Sequence, residues 1–77
     1  MYKYQLNIVT NITPEIIERI MRIIRHRGFF IQKININVIK KCKNINFYLV
    51  IKSFKHINFL VKQIAKLIDV LDIVIIS

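Results

Sequence analysis

A protein nucleophile needs a base beside it, and the side chains here that could serve are few: Cys42, His26 and His56. Cys42 lies in Lys40-Lys41-Cys42-Lys43, where neighbouring ammonium groups favour a thiolate. Neither histidine is placed by sequence to act as its base, so Cys42 reads as a surface cysteine in a turn. Ser53 stands just before a helical pattern and reads as a helix cap rather than a nucleophile. The four acids, Glu15, Glu18, Asp69 and Asp72, fall at helix and strand ends. Glu18 and Arg22 are four apart, the spacing of an ion pair on a helix surface, and no two carboxylates are set for acid–base work. One cysteine and two histidines do not make a closed metal-ligand set. A phosphate-cradling loop needs several glycines, and Gly28 is the only one. The sequence therefore offers no catalytic, cofactor-binding or metal residue of its own.

The elements that would carry these side chains follow from their spacing. Tyr4, Leu6 and Ile8 alternate with polar residues from Tyr2 to Val9, which predicts a half-buried strand. Asn11-Ile12-Thr13-Pro14-Glu15 reads as a helix start. Thr13 is expected to cap, Pro14 to sit in the first turn, and Glu15 and Glu18 to face the positive helix end. Ile16, Ile17, Ile20, Ile23 and Ile24 form one apolar stripe, with Arg19, Arg22 and Arg25 off it. In Arg25-His26-Arg27-Gly28-Phe29 the cations suit the negative end of the helix dipole, and Gly28 suits a left-handed terminating residue. A period of two returns from Phe29 to Ile39 and again from Asn44 to Lys52, with residues 40–43 as a polar turn between them. Ile57, Leu60, Val61, Ile64, Leu67 and Ile68 follow helical spacing up to Asp69, and Val70 to Ile76 reads as a last strand.

The order is strand-helix-strand-strand-helix-strand over residues 1–77, with no linker or repeat. Right-handed crossovers make this an α+β, ferredoxin-like βαββαβ fold: a four-stranded antiparallel sheet with two helices on one face. The other sheet face is then open. By alternation it carries Asn7, Val9, Asn35, Asn37, Asn46, Tyr48 and Val50, an unusual load of asparagine for strands. RNA-recognition modules of this topology stack bases on aromatics of the central strands. Here only Tyr48 would point that way, so nucleic acid is not the expected partner.

A chain of 77 residues is short. Below roughly 70–80 residues a core seldom suffices without a staple. A lone cysteine excludes a disulfide within the chain and fits a reducing compartment, which leaves oligomerisation. The formal net charge is +9 and hydrophobic residues make up 55%. Ile, Lys and Asn, all with A/T-rich codons, make up 35 of the 77 residues, so an A/T-rich gene is the expected source of much of the Ile that raises the hydrophobic share and the Lys that raises the charge. No apolar run approaches the ~20 residues of a membrane span, and Met1 to Thr10 is too polar for a signal peptide. A cytoplasmic location is expected, with no membrane partner.

Pro14-Glu15, Glu18-Arg19, Arg22 and Arg25-His26-Arg27-Gly28-Phe29 closely resemble the first helix of the small regulatory subunits of acetolactate synthase, isozyme II type. Asn35, Asn44-Ile45-Asn46 and Lys66-Leu67-Ile68-Asp69-Val70 resemble the same family's motifs in the same order. The resemblance spans nearly the whole chain and implies a single ACT domain, the βαββαβ arrangement derived above. It implies a non-catalytic chain that activates a separate large subunit, which joins two pyruvates, or pyruvate and 2-oxobutyrate, for branched-chain amino acid synthesis. Thiamine diphosphate, Mg2+ and FAD would belong to that large subunit. A homodimer within a two-large, two-small assembly is expected.

ACT domains that sense amino acids usually have Asn or Asp, and then Gly, in the turn before the first helix. Alignment back from Gly28 puts Ile12 and Glu15 at those places, so Asn11, Ile12, Thr13, Pro14 and Glu15 form a degenerate effector turn. A glutamate there adds bulk and like charge against a ligand carboxylate. Valine insensitivity is the expectation, and a free-standing amino-acid sensor is the alternative it disfavours. The expected partner contacts are the basic helix end, Arg25, His26, Arg27 and Lys33, or the open face through Asn35, Asn37, Asn46 and Tyr48.

Overall fold

The computed structural model describes residues 1–76. Its elements are β1 (Tyr2–Asn11), α1 (Ile16–His26), β2 (Phe30–Ile39), β3 (Asn44–Ser53), α2 (Ile57–Ala65) and β4 (Val70–Ile75). The strands form one antiparallel sheet in the order β2-β3-β1-β4. This is the βαββαβ arrangement that the spacing predicts.

Strand alternation decides what lies under the helices. Leu6 and Ile8 of β1 stand opposite Leu49 and Phe47 of β3. They are fully buried with Ile51, and the same core takes in Ile16, Ile20 and Ile24 of α1 and Ile57, Leu60 and Ile64 of α2. Both helices thus press their apolar stripes onto one sheet face. Close packing of these residues is what the chain offers in place of staples. Val50 is shielded too, yet it stands outside that core, on the other face.

The end of α1 is closed by backbone geometry. Gly28 takes φ +81°. The Phe29 N–H donates to the Ile24 carbonyl at 3.1 Å and the Gly28 N–H to the Arg25 carbonyl at 3.1 Å. These two bonds make a Schellman motif. Phe29 and Ile24 both lie in the core, which supplies the motif's apolar contact.

Three local readings are corrected. Thr13 does not cap α1. The residue before the helix is Glu15, which makes no side-chain cap and takes φ +68°. Pro14 and Glu15 belong to the turn, and the Thr13 hydroxyl donates instead to Asp69 Oδ2 at 3.4 Å. Ser53 does not cap α2. It ends β3, buried, where its Oγ donates to the Gly28 carbonyl at 3.0 Å and accepts from the Lys55 N–H at 2.9 Å. His56 caps α2, its Nδ1 accepting from the Asn58 N–H at 3.3 Å. Finally, α2 stops at Ala65 rather than at Asp69. Leu67 and Ile68 lie in the turn that follows, where Ile68 is 91% exposed. Their helical spacing runs on past the last residue of the helix, where local bonds from the Leu67 N–H to the Ile64 carbonyl and from the Val70 N–H to the Leu67 carbonyl close a turn.

Candidate functional site

The sequence directs attention to three places, and the fold distributes them. The first is the turn between β1 and α1. It is stitched down from two sides: the Asn11 N–H donates to the Asp69 carbonyl at 2.9 Å, and the Ile12 N–H to the Lys43 carbonyl at 3.3 Å. Asn11, Ile12, Pro14 and Glu15 are exposed and Thr13 is half-buried. Glu15 holds a left-handed backbone, a conformation natural to glycine and costly for a residue with a Cβ. Its carboxylate reaches Arg19 at 4.0 Å, an exposed pair that contributes little. The turn has thus kept a glycine-like backbone around a glutamate side chain. The sequence alone shows the odd residue but not the positive φ.

The second place is the end of α1. Arg25 and His26 are exposed, while Arg27 is half-buried. The Arg27 guanidinium donates to Gln63 Oε1 at 3.2 Å and sits 5.2 Å from the centroid of the Phe59 ring. Phe59 and Gln63 are four apart on α2, so one face of that helix presents both. Arg22 donates to Glu18 at 2.8 Å, as its spacing predicts. A concavity of about 360 Å³ is lined by Arg22, Ile23, His26 and Arg27.

The third place is the open sheet face. Strand register aligns two rows across it. Asn35, Tyr48, Asn7 and Val74 form one; Asn37, Asn46, Val9 and Asp72 form the next. Lys33 stands opposite Val50, which stands opposite Gln5, so Lys33 belongs to this face and not to the helix end. Phe30 stands opposite Lys52 on the same face. Alternation alone misses it, because the register shifts between Ile31 and Lys33 and one residue is bulged out. Lys3, opposite Lys52, is missed from the sequence as well, although its alternation with Tyr4 and Leu6 carries the signal.

Arg25, His26 and Arg27 therefore share the helix layer, while Lys33, Asn35, Asn37, Asn46 and Tyr48 share the opposite layer. Among the described residues no hydrogen bond pairs a candidate nucleophile with a histidine or carboxylate base, apart from Thr13 with Asp69 at 3.4 Å in the turn before α1. Among the described residues no three of His, Cys, Asp and Glu come together to hold a metal. No helix of the described residues is long and apolar enough to cross a membrane.

Comparison with known proteins gives the kind of domain this is. The family model of the ACT domain matches residues 12–73. The ACT domain of a GTP pyrophosphokinase from Chlorobium tepidum superposes with a TM-score of 0.83 at 17% identity, covering 97% of each chain. The acetolactate synthase small subunit from Thermotoga maritima gives 0.85 at 19% identity over the whole of this chain, which spans 48% of that one. At those identities the likeness is one of fold, and the fold is that of an ACT domain. Sequence goes further. The acetolactate synthase isozyme 2 small subunits of Escherichia coli K12 and Shigella flexneri are 35% identical over 75 residues, covering 97% of this chain and 86% of theirs. The chain belongs to this family of acetolactate synthase small subunits. It is of the non-catalytic, regulatory kind, tied by that kinship to branched-chain amino acid biosynthesis.

Proposed function

We propose that this chain works in the cytoplasm by binding and activating a separate large subunit of acetolactate synthase. That subunit condenses two pyruvates, or pyruvate and 2-oxobutyrate, and carries the thiamine diphosphate, Mg2+ and FAD. The identity with isozyme 2 small subunits along nearly the full chain carries this reading. This chain's contribution is mechanical: it binds the large subunit better in its active arrangement and so shifts its population toward that state.

The assembly is two large and two small subunits, with the small ones paired. A domain of this size with exposed Val38, Leu71 and Ile75 along its edge strands gains from burying them. Valine is not an effector. The carboxylate of an amino acid approaching the start of α1 meets Ile12 and the carboxylate of Glu15 in place of open backbone N–H groups.

The test is co-purification of the tagged chain with the large subunit, followed by assay of the reconstituted complex. Complex formation and a rise in acetolactate production support the reading; two chains that elute apart, with activity unmoved, overturn it. Calorimetry with valine should show no heat of binding, and tight valine binding would refute the insensitivity.

A further inference from the structure

The two candidate contact surfaces differ in how far their polar groups are already committed. On the helix layer, Arg22 is held by Glu18 at 2.8 Å, and Arg27 by Gln63 and Phe59. Two of the three basic side chains that line the helix-end concavity are thus engaged within the chain. The helix dipole accounts for the basic residues there. On the open face the situation is reversed. The amides of Asn7, Asn35, Asn37 and Asn46 and the hydroxyl of Tyr48 make no hydrogen bond within the chain, among the described residues. Each amide brings two donors and two acceptor lone pairs, and they stand in adjacent rows. Asparagine weakens a strand, so this load costs the isolated domain stability.

From this contrast we infer that the open sheet face is the surface by which the chain docks onto its catalytic partner, and that the partner meets it with carboxylate and amide groups. The inference rests on the function proposed above. Lys3, Lys33 and Lys52 lie on this face, with Asp72 its only acid among the described residues. A second copy stacked here would set like lysines against one another, on chains of net charge +9 each. A partner of complementary charge has no such penalty. In projection the face measures about 600 Å², from strand spacing and rise, close to the ~800 Å² that one side of a standard interface buries. Phe30 and Tyr48 supply the aromatic anchors such interfaces favour. Single-stranded RNA fits less well, because Tyr48 is flanked on the neighbouring strands by Asn7 and Asn35, while Phe30 stands opposite Lys52, four residues further along β3, so the two aromatics do not sit side by side as a stacking platform.

The test uses the full chain and the intact large subunit, with affinity read by titration of activity and by calorimetry. Lys33→Glu, Asn35→Glu and Asn37→Glu change exposed residues. Each should weaken the complex at least tenfold, and association of the wild-type pair should slow as salt is raised. Arg25→Ala and His26→Ala should stay within twofold of wild type. Circular dichroism confirms folding, and Asn35→Ala with Asn37→Ala is the gentler pair should a glutamate unfold the domain. Wild-type affinity in all open-face variants, or a tenfold loss in Arg25→Ala, overturns the inference while leaving the proposed function standing. Loss of a homodimer in the open-face variants, or RNA binding that requires Tyr48, would also overturn it. Failure of the wild-type chain to bind the large subunit is a separate outcome that removes the function and this inference together.

Discussion

Two residues hold positions that their own chemistry disfavours. Glu15 sits at φ +68° with only an exposed ion pair in return. Left-handed backbone costs a residue with a Cβ roughly 1–2 kcal/mol, part of which glycine would give back in lost chain entropy. Glu15→Gly should therefore stabilise the domain by about 0.5–1 kcal/mol, seen as a higher midpoint in urea unfolding. Thr10 is fully buried, and its hydroxyl has no hydrogen-bond partner among the described residues. A buried orphan hydroxyl costs about 1–3 kcal/mol, so Thr10→Val should stabilise, again by urea titration. Ser53 is the opposite case. Its buried Oγ joins the Gly28 carbonyl to the Lys55 N–H, and Ser53→Ala should cost about 1–3 kcal/mol by leaving both groups unpaired. The Thr10 and Ser53 cases were not legible from residue type, because each depends on what the fold brings within 3–4 Å of the side chain, and for Glu15 the residue was odd in sequence but its positive φ was not visible there.

At the scale of elements, α1 and α2 are joined by Arg27, which reaches both Phe59 and Gln63. A contact of this kind is worth about 0.5–1 kcal/mol for the ring and about 1 kcal/mol for the hydrogen bond. Arg27→Ala should lower stability by about 1–2 kcal/mol, and a double-mutant cycle with Phe59→Ala should show coupling. If the two changes simply add, the contact is not energetically linked. The apolar stripes were plain in the sequence: Ile16, Ile20 and Ile24 are all buried, as helical spacing requires. Element ends were less plain. Thr13 and Ser53 are good cap residues by type, but the helices start later, with Glu15 and His56 at the cap positions. Asp69 and Gly28 claim their hydroxyls instead.

For the whole molecule, charge and size dominate. A net charge of +9 on a chain of 77 residues repels itself. Raising salt from about 0.01 M to about 0.15 M shortens the screening length from ~30 to ~8 Å and should raise the melting temperature of the isolated chain. A fall would mean that attractive pairs such as Glu18–Arg22 outweigh the repulsion. Pairing of the small subunits should also make the melting temperature rise with protein concentration, and a concentration-independent value would argue for a stable monomer.

The sequence by itself determined the order of the elements, the core stripes, the glycine that ends α1 and the asparagine face of the sheet. These follow from periods of 3.6 and 2, which one-dimensional order preserves. It also pointed to the family, through a motif run on a single helix. Only the tertiary structure decided how the candidate residues divide. It sent Lys33 to the face opposite Arg25 and His26, brought Phe30 onto that face through a bulge, and spent Arg27 on α2. It also showed Glu15 holding a glycine's backbone. Register, bulges and contacts between helices join residues distant in the chain, and no local period encodes where they meet.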